Sequence, residues 1–205
     1  MGYHTLFFGE FHLQTPLKPE HAGFLQRFSQ TRRMKRVASL LLYEPDPWRS
    51  AAGLPIGPEG AYFVGSRDPF GQDYDHLSVL DTDEPPAGQP GLWCHWAPAR
   101  EGKTLAWNGH EKFYHYDEWL EYLLEHFLSP WGYVLEGTMR WIGEDPQDQG
   151  TIYVADNEVF VLPDETLEEL LTDLTPALTP PPSHGAGEGP EPHPGADGLP
   201  LVDRA

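Results

Sequence analysis

The sequence has 205 residues and a formal net charge of −19 at pH 7, with 32 acidic residues against 13 basic ones. So acidic a surface repels polyanions, which argues against non-specific binding to nucleic acid. A single cysteine excludes an internal disulfide framework, and no apolar run reaches the roughly 20 residues of a membrane helix. The N-terminal stretch also lacks the charged and apolar regions of a secretory signal, so we expect a cytoplasmic protein without membrane contact.

The first half of the chain predicts one strand, one helix and a long loop. "HTLFFGEFHL" is rich in aromatic residues and predicts a strand, with Gly9 as a candidate β-bulge. "KPEHAGFLQRFSQ" predicts a helix that starts at Pro19 and buries Phe24, Leu25 and Phe28. Residues 44–91 are rich in Pro, Gly and Asp, with short strand-like pieces such as "AYFVG". They predict an irregular excursion of a length that is often functional.

The second half predicts a hairpin, a strong helix and a meander. "LWCHWAPAREGKTLAW" is typical of a hairpin, and "DEWLEYLLEHFL" of an amphipathic helix capped by Asp117. Three strands follow in "YVLEGTMRWIG", "GTIYVA" and "EVFVL", and the pair Asp156–Asn157 favours a tight turn between the last two. "PDETLEELLTDL" predicts a short final helix capped by Asp164.

These elements predict an α+β fold, with an antiparallel or mixed sheet and two main helices on one face. Residues 1–173 would form a single domain that includes the long irregular loop. Residues 174–205 would form a disordered tail, because a stretch with eight Pro and five Gly in its last 30 residues, and no aromatic side chain, buries too little apolar surface to order.

A compact basic stretch, "TRRMKR" at residues 31–36, stands out in so acidic a chain. If the first helix continued past Ser29, Arg32 would fall on its apolar face, where a bare guanidinium is costly. Two interpretations follow. The cluster is either a solvated basic helix end, or an anion clamp in which Arg32, Arg33 and Arg36 bind a phosphate or carboxylate.

Two other stretches resemble catalytic or metal motifs but lack the required spacing. In "WCHW" the side chains of Cys94 and His95 point to opposite faces of a strand, and no second cysteine completes a zinc set, so Leu92, Cys94 and Trp96 are expected in the core. "HEKFYH" places His110 and His115 five residues apart, whereas a zinc protease helix needs four. "GEDPQDQG" is expected to be a solvated acidic turn.

The ordered motifs "FSQTRRMKR", "QPGLWCHW", "EKFYHYDEWLEYL" and "GEDPQDQG" are similar to those of a family of small, uncharacterised bacterial and phage proteins. The similarity would cover about residues 9–161. It implies that the basic cluster and the tryptophan-rich hairpin belong to one domain type. It implies no activity and no catalytic residue.

The leading hypothesis is a binding or interaction module for a small anionic ligand or a protein partner, with no cofactor and no metal. The arginines would hold the anion, the tryptophans would form an apolar wall, and the glutamate would order the cations; the residues of this hypothesis are Arg32, Arg33, Arg36, Trp93, Trp107 and Glu111. One alternative is an enzyme acting on a nucleotide-like or phosphorylated substrate, with Glu111, His115 or Asp117 as acid–base candidates. Another is an acidic inhibitor that mimics nucleic acid.

Overall fold

The computed structural model describes residues 2–65 and 74–164, and a six-stranded antiparallel sheet runs through the middle of it. The eight strands in chain order are β1 (Thr5–Leu13), β2 (Lys35–Arg36), β3 (Val79–Asp81), β4 (Trp96–Ala99), β5 (Thr104–Trp107), β6 (Leu135–Gly143), β7 (Gln149–Ala155) and β8 (Glu158–Pro163). The large sheet has the order β4-β5-β1-β6-β7-β8, and β2 pairs with β3 in a small separate sheet. The predicted α+β class is confirmed.

Strand β1 lies in the interior of the sheet, between β5 and β6. It pairs with β6 along its whole length, from Thr5 opposite Gly143 to Leu13 opposite Leu135. Its alternating pattern buries Phe7 and Phe11 on what we call the inner face and exposes Leu6, Phe8 and His12 on the outer face.

The bulge proposed at Gly9 is wrong, because the pairing of Gly9 with Met139 continues the register of its neighbours. Gly9 instead adopts a φ of 117°, and a Cβ there would lie 2.8 Å from the Thr138 carbonyl oxygen. A glycine is therefore required here by a close strand approach.

Two helices cover the inner face, as the sequence predicted. Helix α1 (Pro19–Ser29) starts at its proline, and helix α3 (Tyr116–Leu123) continues into one π-helical turn (Leu124–Leu128). The rings of Phe28 and Trp119 meet edge to face with centroids 6.0 Å apart, which joins the two helices within one core. A short helix, α2 (Pro47–Ala51), is capped by the Asp46 side chain.

Asp117 does not cap α3, contrary to the sequence prediction. The cap residue is His115, whose carbonyl accepts the Trp119 amide at 2.8 Å and whose φ is 53°. Asp117 lies two residues after His115, in the first turn of the helix, where its charge complements the positive end of the helix dipole.

The described parts of the excursion at residues 44–91 are largely irregular, as predicted, but "AYFVG" is not a strand. Ala61 and Tyr62 lie in a turn, residues 63–65 are irregular, and the Val64 amide donates to the Asp46 carboxylate at 3.0 Å rather than to a neighbouring strand. The tight turn at Asp156–Asn157 is confirmed, with φ values of 49° and 67°. The helix predicted from Asp164 and the predicted tail at 174–205 lie outside the described residues, apart from Asp164 itself. Within the described ranges no helix combines the length and apolarity needed to span a bilayer.

Candidate functional site

A cavity of about 850 Å³ opens between three separate parts of the chain. They are the end of α1, the stretch at residues 83–95 and the loop at 110–115. Its walls, which we call the aromatic cavity, consist of Ser29, Gln30, Asp83, Pro85, Pro90, Gly91, Leu92, Trp93, His95, His110, Glu111, Lys112, Tyr114 and His115. This volume lies within the range of small-molecule sites, roughly 300–1,000 Å³.

One wall is a stack of three rings. The Trp93 indole and the His95 imidazole are nearly parallel, with centroids 6.1 Å apart and 7° between their planes. His95 also stacks with His110, with ring centroids 5.3 Å apart and 24° between their planes. Trp93 and His95 are two residues apart in the sequence, whereas His110 joins them from a different segment.

His95 is a buried, neutral imidazole at neutral pH. Its side chain is only 7% exposed, and burial lowers its pKa to about 4, with a further lowering from His110. Its backbone carbonyl accepts the Asn108 amide at 3.0 Å. His95 therefore offers the cavity a flat, uncharged surface rather than a cation.

The rim of the cavity is the loop at residues 108–115, which carries an unusual backbone. Lys112 and His115 both adopt positive φ values, 62° and 53°, although neither is glycine. Such conformations cost free energy and persist only where neighbouring contacts enforce them, often at functional sites. Both residues line the cavity.

Residues 2–4 form a strap that touches this rim at successive positions. The Tyr3 amide donates to the Tyr114 hydroxyl at 3.0 Å, and a His4 ring nitrogen lies 3.4 Å from the Glu111 carboxylate. Gly2 lies against the aliphatic part of Lys112. The strap is itself anchored, because the Tyr3 hydroxyl donates to Asp148 at 2.6 Å, a bond that raises the pKa of Tyr3.

The charges around the cavity are unequally compensated. Asp83 accepts from Arg32 at 3.0 Å, and Glu111 faces His4 as described above. Lys112, by contrast, makes no ion pair with any residue in the described ranges. Lys112 is therefore a lining residue whose ammonium group has no ion-pair partner among the residues that the structure describes.

The three arginines of the basic cluster diverge. Arg32 donates from Nε to the Thr82 carbonyl and from Nη2 to Asp83, both at 3.0 Å. Arg36 is 3% exposed and donates to the Ser78 hydroxyl at 3.0 Å. The structure thus brings only Arg32 to the edge of the cavity, through Asp83.

Arg33 turns into the core. It is 2% exposed, donates to the Phe63 carbonyl, and lies over the Phe28 ring at 4.3 Å. Its Nε and Nη1 atoms have no hydrogen-bond partner among the described residues, and burial lowers its pKa to about 10. The three guanidinium groups therefore do not converge into the fork of an anion clamp.

The remaining predicted site residues divide into lining and supporting groups. Trp93 and Glu111 line the cavity directly. Trp107 does not line the cavity. Its Nε1 donates to the His110 carbonyl at 2.9 Å, and its ring packs on the Phe7 ring with centroids 5.6 Å apart. Trp107 therefore holds the rim loop in place.

The acid–base candidates of the enzyme hypothesis do not face the arginines. His115 Nδ1 lies 3.0 Å from Glu118, its own helix neighbour, and Asp117 does not line the cavity. Cys94 is fully buried with its pKa raised to about 12, in agreement with the predicted core position. Within the described residues no group of three or more His, Cys, Asp or Glu side chains is arranged to hold a metal ion.

Sequence reasoning missed Lys112, Tyr114 and the joint role of His95 with His110. The available signal was the polar and aromatic composition of residues 110–115, which indicated a connector of interest but not which wall it would complete. No protein-family model, curated protein or solved structure matches this chain, so the geometry of the cavity is the basis for a functional argument.

Proposed function

We propose that this protein is a binding module whose aromatic cavity holds a small ligand with a flat apolar ring and an anionic group. One observation carries the proposal. The cavity combines a stacked aromatic wall, formed by Trp93, His95 and His110, with a lysine that has no ion-pair partner in the described parts of the chain. Mostly apolar walls with a few placed polar groups are typical of ligand sites.

The ring of the ligand would contact Trp93 and its anion would contact Lys112. Both walls are held in place, because His95 is buried and stacks with Trp93 and His110, and the rim loop is held by Trp107 and by the strap. Rigid walls reduce the entropy lost on binding, which favours affinity. Asp83 is paired with Arg32, and the Glu111 side chain is 72% exposed, so solvent screens its charge.

Two fluorescent probes that differ in one charge test this assignment. The sulfonate 8-anilinonaphthalene-1-sulfonate and the uncharged N-phenyl-1-naphthylamine share one ring system. We expect Trp93→Ala to weaken both by roughly 5- to 10-fold, the scale of an aromatic contact. Lys112→Gln should weaken the sulfonate by about 10-fold, the scale of a charge-assisted hydrogen bond, and leave the neutral probe unchanged.

Trp48→Ala is the matched control, because Trp48 is a partly exposed tryptophan that does not line the cavity. Equal losses in Trp48→Ala and Trp93→Ala would place the probes elsewhere and contradict the proposal. A native mass spectrum of gently purified protein would then identify the natural ligand as a stoichiometric extra mass. Capture of a polypeptide in place of a small molecule would favour an interaction module instead.

A further inference from the structure

Arg33 is a buried cation that does not line the aromatic cavity. Burial lowers its pKa to about 10, which still keeps it charged at pH 7, and the guanidinium of Arg36 adds positive charge nearby. The only side-chain hydrogen bond of Arg33 among the described residues runs to the Phe63 carbonyl, so Nε and Nη1 have no partner there. A buried charge of this kind is costly unless an anion compensates it.

The acidic groups that act on Arg33 within the described chain do not compensate its charge. They are Tyr122, Cys94 and Asp46. Burial raises the pKa of the Tyr122 hydroxyl and of the Cys94 thiol to about 12, so both are neutral at pH 7. The Asp46 carboxylate lies 3.3 Å from Arg49 Nε and accepts the Val64 amide at 3.0 Å. Its oxygens are therefore engaged with other partners.

Two neutral donors lie beside the guanidinium, around the ring of Phe28. The Cζ atom of Arg33 lies 4.3 Å from the centroid of that ring, and the Trp119 and Tyr122 rings lie 6.0 and 6.3 Å from it. Trp119 Nε1 has no hydrogen-bond partner among the residues described. The Tyr122 oxygen accepts Gln89 Nε2 at 3.0 Å, so its own hydrogen points away from that amide and meets no acceptor in the described ranges.

Unused donors therefore outnumber unused acceptors around Arg33. The donors are Arg33 Nε and Nη1, Trp119 Nε1 and the Tyr122 hydroxyl, whereas the acceptor without a partner in this part of the described chain is Gln89 Oε1. A water molecule would bring two further hydrogens, but a halide ion only accepts and carries the charge opposite to that of Arg33. All three donor side chains are at most 6% exposed, which favours a small ion over a phosphate or a carboxylate ligand.

We propose that Arg33, Tyr122 and Trp119 form an internal site for a small monovalent anion of the halide class, with chloride as its occupant. The guanidinium supplies the opposite charge, and the hydroxyl and the indole supply hydrogen bonds. The unfolded chain does not bring these groups together, so bound chloride stabilises the folded chain. The inference does not depend on the aromatic cavity, since none of the three residues lines it.

Urea unfolding of the full chain at constant ionic strength tests the site, with sodium chloride replaced by sodium gluconate, whose anion is too large to be enclosed. We expect the equilibrium constant for folding to rise at least about 5-fold between about 5 mM and about 500 mM chloride. In Arg33→Met this dependence should disappear. Arg32→Met is the matched control, because Arg32 belongs to the same basic stretch but donates to Asp83, and it should keep the dependence.

A variant that keeps the charge and a direct localisation complete the test. Tyr122→Phe removes one donor, so it should need several-fold more chloride for the same gain in stability, and it decides the question even if Arg33→Met does not fold. In crystals grown with bromide, anomalous scattering should place an ion in contact with the Arg33 guanidinium.

Three results would overturn the inference. One is a chloride dependence that is absent from the unchanged protein or equal in the unchanged protein and in Arg33→Met. Another is a dependence that Tyr122→Phe leaves as it was. The third is bromide bound only at places away from Arg33.

Discussion

The imidazole of His95 is nearly parallel to the indole of Trp93, with centroids 6.1 Å apart, and within 24° of parallel to the imidazole of His110, at 5.3 Å. A proton on His95 would place a charge in a buried position next to another imidazole. The stack is therefore stable with His95 neutral, so the stability of the fold should depend measurably on pH.

Acid should weaken the fold through His95. Its folded pKa of about 4 lies below the ordinary value of 6.5, so between these pH values the unfolded chain binds the proton and the folded chain does not. The contribution of His95 to the free energy of unfolding is fully present above pH 6.5. It decreases as the pH falls toward 4, by at most about 3 kcal/mol. Urea unfolding at pH 7 and pH 4.5 measures it.

His95→Phe is the appropriate comparison for this measurement, since phenylalanine keeps a flat ring in the stack and does not titrate. Its loss of stability between the two pH values should be smaller than that of the unchanged protein by about 2 kcal/mol. Carboxylates and other histidines contribute equally to both proteins. Identical pH dependences would show that His95 does not resist protonation in the folded state.

Arg33 is expected to matter little to ligand binding and little to stability. Replacing its guanidinium by the apolar chain of Arg33→Met removes a buried charge that has no carboxylate at ion-pair distance among the described residues, at the cost of the bond to the Phe63 carbonyl. These effects oppose each other, so the free energy of unfolding should change by about 1 kcal/mol or less.

Chemical denaturation and sulfonate-probe titration of Arg33→Met together check this expectation. A loss of probe affinity of about 10-fold with unchanged stability would place the Arg33 guanidinium in the binding site. That result would support the arginine-clamp hypothesis. Arg33→Glu should instead unfold the protein or cost roughly 3–5 kcal/mol, because it would bury an uncompensated carboxylate.

Arg32 should influence anion binding indirectly, through Asp83. In Arg32→Gln the Asp83 carboxylate loses its partner at 3.0 Å and adds an uncompensated negative charge to the cavity wall. The sulfonate probe should then bind a few-fold more weakly, the scale of an exposed charge interaction, and the neutral probe should bind as before.

Adding Asp83→Asn to Arg32→Gln should restore the affinity for the sulfonate, because the repelling charge is removed. The effect of Arg32→Gln should also shrink at high salt, which screens exposed charges. If Asp83→Asn fails to rescue the binding, Arg32 contacts the anion itself. Titrations of the single and double variants at two salt concentrations distinguish the two cases.

The sequence predicted those parts of the fold that depend on local periodicity. The alternation in β6 and the apolar stripe of α1 are properties of neighbouring residues, so each could be recognised from a short stretch. The helix cap of α3 was misassigned because the left-handed conformation of His115 is enforced by tertiary contacts, whereas Asp117 has the better intrinsic capping preference.

The candidate site was less accessible to sequence reasoning because it is assembled from distant segments. Trp93 and Glu111 were recognised from their residue types, but Lys112 joins them only after the rim loop folds against the strap. The burial of Arg33 depends on Phe63, 30 positions away, and no local pattern indicates where a guanidinium will point. The convergence of the arginines was therefore a plausible hypothesis that the geometry does not support.

The central position of β1 has a consequence for how the protein is made. Thr5–Leu13 is synthesised before the two strands that flank it, since β5 and β6 start about 100 and about 130 residues later in the chain. Until then its apolar residues, Phe7 and Phe11 among them, have no native strand to pair with. Such non-local pairing slows folding and leaves the nascent chain prone to aggregation, so a chaperone that shields this segment during translation should raise the yield of native protein.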